Sequence, residues 1–290
     1  MVHSYCSLMR WPRLLIALSL TTISLDAALC QSATIQIFRE QSSRIERGIF
    51  SDSDRAAIEN ISSDRQTSDN EKSAAIFELY IDRRLSLLPP GASERVRETL
   101  AKRVSVSTND SVITGSYTVP TKRVRLWLPK PFEGGPVHYF LLTHEIEHAI
   151  QGEMLVENGI GFIRYSGSHA IHYGSTMFES ERGSMIAEFL YLQSLPVEVR
   201  QRAAEQLSTL SQLDKRDRER ETRNLLSKAT TSADYLEQEW SAGRYRHDEL
   251  KTQQYLAHTG LIGVAALVGT IFFKDCRSIF SGLASRISLR

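Results

Sequence analysis

Between residues 74 and 88 apolar side chains recur at Ile76, Phe77, Leu79, Tyr80 and Leu87, a spacing that predicts an amphipathic helix. Pro89, Pro90 and Gly91 end it. Ser93 then reads as the cap of a further helix reaching about Lys102. The polar stretch 51–73 before them predicts a short helix and a loop. After Lys102 the period changes. Residues 111–120 (SVITGSYTVP) and 122–129 (KRVRLWLP) alternate polar with apolar, which predicts strands. Val124, Leu126 and Leu128 share one face of the second, with Arg123, Arg125 and Trp127 on the other. The loop KPFEGGP (130–136) leads to a helix with a core stripe of Tyr139, Leu142, Ile146, Ala149 and Ile150, ending near Gly152. From Met177 the pattern is helical again, over 177–195, 196–213, a charge-rich stretch 214–223 and 233–258. The whole is a helix-rich α+β body with a small sheet before its central helix.

The two ends depart from this pattern. Arg10 and Arg13 precede an apolar run over 14–25 and the small residues of DAALCQSA, the order of a secretory signal. Residues 1–30 are therefore expected to act as a signal peptide cleaved near 27–30, or as a short N-terminal anchor. Residues 256–273 hold no acidic or basic side chain besides His258, long enough for a transmembrane helix or for a glycine-containing core helix. Lys274, Arg277, Arg286 and Arg290 follow against Asp275 alone, so 274–290 reads as a basic cytoplasmic tail. The expected localisation is a membrane, with the body on the exported (periplasmic or extracellular) side.

Composition changes little. The 290 residues are 41% hydrophobic and 24% charged, with 35 basic against 34 acidic side chains, which fits a globular body and gives no nucleic-acid footprint. Cys6, Cys30 and Cys276 lie near the ends and supply neither a disulfide framework nor a cysteine zinc ribbon.

The central helix carries the chemistry. His144-Glu145-Ile146-Glu147-His148 is H-E-x-x-H. At about 3.6 residues per turn, positions four apart lie one above the other, so both imidazoles can reach one metal ion. Glu145 sits at the edge of that face, placed to contact an attacking water, while Glu147 points elsewhere, towards solvent. A third ligand is needed, with a further position left for water. Glu181 and Glu188, seven apart, share one face of the 177–195 helix, and Gly183 and Ser184 allow close helix approach. By spacing either glutamate could ligate. The Gly-, Tyr- and His-rich stretch 158–175 offers Tyr165, His169, His172 and Tyr173 as hydrogen-bond donors to a developing oxyanion. His138, His247 and His258 read as structural or solvated.

His144, Glu145, His148 and a glutamate on a later helix resemble the gluzincin group of zinc metallopeptidases over residues 141–152 and 178–192. No H-x-x-G-x-x-H continuation follows His148, unlike the Met-turn group. The resemblance implies a zincin-like domain over 31–250. It favours Glu181, in Glu-x-x-small, as third zinc ligand and Glu188 as a supporting or alternative ligand, with Glu145 as general base. It also implies an active-site edge strand, placed around 124–128, that pairs with an extended peptide or protein substrate. The expectation is a membrane-anchored zinc-dependent peptidase. Its rivals are a non-catalytic membrane-anchored zinc-binding sensor or scaffold, and a metal-free interaction protein.

Overall fold

The computed structural model describes residues 10–161, Tyr165 and residues 173–241. The order is α1 (Arg10–Glu46), α2 (Asp52–Ser63), α3 (Asp69–Ser86), α4 (Pro90–Lys102), β1 (Val104–Thr108), β2 (Thr114–Thr118), β3 (Arg123–Leu128), α5 (Pro136–Glu157), α6 (Tyr173–Ser194), α7 (Val197–Thr209), α8 (Lys215–Leu225) and α9 (Ser232–Ser241). This is the expected helix-rich α+β body.

Local chemistry explains the boundaries. Ser51 and Ser68 each form a reciprocal capping box, with Asp54 and Glu71, that starts α2 and α3. Helix α4 begins at Pro90 rather than at Ser93, because proline at the first helical position is preset in φ and has no N–H to leave unbonded. Asp214 accepts from the backbone N–H groups of Arg216 and Asp217 and starts the charge-rich α8.

The three strands run in the order β1-β3-β2. β3 pairs in parallel with β1, Val124 opposite Val104, and antiparallel with β2, Val124 opposite Tyr117. Val124, Leu126 and Leu128 are buried, while Arg123 and Arg125 face outward, as their alternation predicts. β1 escaped the sequence pattern because VSVST carries too few large apolar residues. The expected active-site edge at 124–128 is corrected: β3 is the middle strand, and β2 is an edge among the described residues.

Helix α5 is the axis of the body, packed against α3, α4, α6, β2 and β3. It is buried on nearly every side rather than along one stripe, and it runs past Gly152 to Glu157. Glu147, expected in solvent, is 1% exposed and meets a fully buried Arg84 from α3. Arg84 Nε and Nη2 donate to the two Glu147 oxygens at 2.9 and 2.7 Å, and Nη2 also donates to Gln41 of α1 at 3.2 Å. The charge is tolerated there because the pair is bidentate.

Helix α1 lies along α6, with Cys30, Thr34, Ile37, Phe38, Gln41, Ser42 and Ile45 buried at helical spacing. It runs unbroken through residues 27–30, the expected cleavage point. From Cys30 onward it is part of the core.

The expected transmembrane helix is withdrawn from the fold class. Among the described residues no helix is long and apolar enough to cross a membrane. The long helices α5 and α6 are interrupted by His, Glu and Gln side chains and are buried in protein. Residues 256–273, the tail 274–290 and most of the predicted helix 233–258 lie outside the described residues.

Candidate metal centre

His144, Glu145 and His148 come from the middle of α5, and Glu181, Ser180, Ser184 and Glu188 from the facing side of α6. The helices approach closely where α6 has Gly183: a Cβ there would lie 2.7 Å from Gln151 Nε2 and 3.0 Å from Ser42 Oγ.

The two imidazoles turn their Nε2 atoms toward each other, 3.1 Å apart. Glu181 faces both, with Oε2 3.2 Å from His144 Nε2 and Oε1 3.5 Å from His148 Nε2. One ligand atom from each of the three residues lies within 4.8 Å of the others. His144, His148 and Glu181 could thus hold a metal ion.

The opposite ring nitrogens are occupied. His144 Nδ1 is 2.7 Å from Glu188 Oε1, and Glu188 Oε2 accepts from the Tyr235 hydroxyl at 3.0 Å. His148 Nδ1 lies 3.1 Å from Ser180 Oγ. Ser180 in turn donates to Gln151 Oε1 at 2.6 Å, and Gln151 Nε2 donates to the Ser180 carbonyl at 2.8 Å. Metal-bound imidazoles ordinarily donate their second N–H in this way, which fixes tautomer and ring plane. The donor set therefore fits a divalent cation: two Nε2 atoms and a carboxylate converge, and the Nδ1 atoms are engaged elsewhere. Glu188 is turned to the back of His144, so it supports the ring and does not complete the ligand set.

Charge points the same way. Burial disfavours a charged His144, but Glu188, aided by hydrogen bonds to Glu181 and Glu188, overrides it and holds the ring up to about 10. His148 is raised likewise, burial being outweighed chiefly by Glu181. For Glu181 burial works upward, yet the two imidazoles, His148 foremost, bring it well below the usual carboxylate range. The carboxylates call for positive charge between them, which protons on the rings or a cation can answer.

Glu145 lies beside this cluster, 6% exposed. Burial pushes its carboxyl up, against the pull of His144 and His148. It rests on the backbone of β2: a Cβ on Gly115 would lie 2.5 Å from Glu145 Oε1 and 2.6 Å from its Cγ. Only glycine allows the strand to come this near.

The cluster opens into a cavity of about 600 Å³ with residues 114–120 along one wall and Phe38, Leu141, Leu155 and Met177 among its apolar lining. Arg220 and Glu221 of α8 line the same cavity. Arg220 Nη2 donates to the Ile113 carbonyl at 3.3 Å, tying α8 to the start of the edge strand.

Of the proposed oxyanion donors, Tyr165 is half-buried and lines the cavity. His169, His172 and the Tyr173 side chain lie outside the described residues. His138, read as structural or solvated, accepts through Nδ1 from the Gly134 N–H at 3.1 Å. Sequence reasoning missed Ser180, Gln151, Gly115 and Tyr235. Gln151, one turn beyond His148, had a spacing that could have flagged it; Tyr235 had none.

No family model matches this chain, and neither a curated protein nor a solved structure matches it.

Proposed function

We propose that the protein is a zinc-dependent peptidase whose reaction occurs where His144, His148 and Glu181 converge beside Glu145. The observation that carries this reading is the fourth group. A buried carboxylate stands next to the three converging donors, outside their ligand set, and at an open cavity. A site built only to hold a structural ion has no need of it.

Zinc is favoured by the donor set of two imidazoles and one carboxylate, with room left at the cavity for substrate and water. Held there, the ion would supply Lewis acidity, polarising a peptide carbonyl and making a neighbouring water easier to deprotonate. Glu145 takes the proton from that water on a carboxylate oxygen and passes it to the departing amine. β2, an edge strand among the described residues and along the cavity wall, would offer an extended peptide backbone a partner on the side away from β3. Tyr165, which lines the cavity, is the candidate among the described residues to donate to the carbonyl oxygen as charge develops on it.

Glu145→Gln tests the assignment. The variant should bind zinc as the wild type does and lose peptide hydrolysis by about 10²–10⁴-fold. Hydrolysis at the wild-type rate would refute the role of Glu145. Zinc binding by the wild type without cleavage of any peptide in a diverse library would instead favour a non-catalytic zinc-binding protein.

A further inference from the structure

The hydrogen-bond chain behind His144 continues beyond its carboxylate. Glu188 is fully buried, and its two oxygens face different elements: Oε1 meets His144 Nδ1 on α5, and Oε2 meets the Tyr235 hydroxyl on α9. Tyr235 is also fully buried. Its backbone N–H donates to the Thr231 carbonyl at 3.1 Å at the start of α9, and its ring packs 5.6 Å from that of Phe189, the residue after Glu188. The tyrosine is therefore held by its backbone and by its ring.

A carboxylate bonded through one oxygen can still turn about its last side-chain bond. A second donor on the other oxygen stops that rotation. With Tyr235 on Oε2, Oε1 stays aimed at Nδ1, and the ring keeps Nε2 toward Glu181 and His148. A metal-binding imidazole depends on such a partner for its tautomer and plane, and losing one typically weakens binding by about 10–100-fold.

We propose that Tyr235 is a positioning residue for the metal ligand His144, acting through Glu188 and so tying the last described helix to the metal centre. This rests on His144 being a zinc ligand, and it makes no demand on what the bound zinc does.

The test uses the full chain and zinc itself, with affinity measured by competition against a chromophoric chelator. Tyr235→Phe removes only the hydroxyl and should weaken zinc binding about ten-fold. Leu236→Ala, on the same helix and packed against the core, should lower the melting temperature and leave zinc affinity within about two-fold. Glu188→Gln should weaken zinc as well, and adding Tyr235→Phe to it should cost nothing further, since the tyrosine works through that carboxylate. Wild-type affinity in Tyr235→Phe overturns the proposal. So does an equal loss in Leu236→Ala, or additive losses in the double variant. A wild-type protein that binds no zinc removes the metal-site reading and this one together. One that binds zinc and cleaves nothing removes the peptidase reading alone and leaves the Tyr235 result to be judged by affinity.

Discussion

At the scale of single residues, the site is set by small atoms as much as by the ligands. Gly115 lets β2 lie against the Glu145 side chain, and a methyl group there would occupy the space of Oε1 and Cγ. Gly115→Ala should therefore push the carboxylate aside and reduce kcat about 100-fold while zinc affinity stays at the wild-type level, because displacing a reacting group by about an ångström has such an effect. Steady-state kinetics beside a zinc titration would check both halves; unchanged kcat would mean that Glu145 tolerates the shift. His144 and His148, two of the three residues that could hold a metal ion, were legible in the sequence because their spacing on a helix is a local property. Glu181 was legible only by resemblance, since spacing alone left Glu188 equally open. What separates the two glutamates is the direction each takes from α6, one toward the Nε2 atoms and one behind the His144 ring. That is a property of helix packing, which no pattern within one segment carries. Glu147 misled for the same reason: a charged residue beside the motif reads as solvated until its distant partner Arg84 is seen.

At the scale of elements, the Arg84–Glu147 pair joins α3 to α5, and neither residue lines the cavity. Glu147→Gln leaves the Arg84 charge buried and incompletely answered, and should destabilise the protein by about 3–5 kcal/mol in urea unfolding. Replacing both, as Arg84→Met with Glu147→Leu, should cost much less, because no charge is then stranded in the interior. If the single and double variants lost equal stability, packing volume and not charge would be what the pair provides. The elements themselves were mostly readable. α3, α5 and α6 announced themselves by apolar spacing, and β3 by its alternation. The polar-rich α1 beyond residue 30 and the weakly apolar β1 did not, because each is held by what it packs against. The edge of the sheet was assigned to the wrong strand, since strand order is decided by pairing between segments rather than within them.

At the scale of the whole molecule, the core extends from α1 to α9 and includes tens of buried side chains remote from the cation site. On the proposed reading, the fold should therefore outlast removal of a bound metal. Chelation should leave the far-ultraviolet circular dichroism in place, and free zinc at about 100 times its Kd should add about 2.7 kcal/mol to stability, seen as a rise in the melting temperature. Collapse of the dichroism on chelation would show that the ion builds the fold rather than occupying it.

The two polar partnerships of α5 face different ways: Glu147 is bound to Arg84, and three neighbours are committed to the cavity. The Arg84 pair and the cavity thus hold α5 on two different sides. One residue inserted between 144 and 148 would turn His148 by about 100° relative to His144, so the two rings would no longer face one point. The interval from 144 to 148 is thus fixed by packing on α5 as well as by the spacing that brings the two rings together.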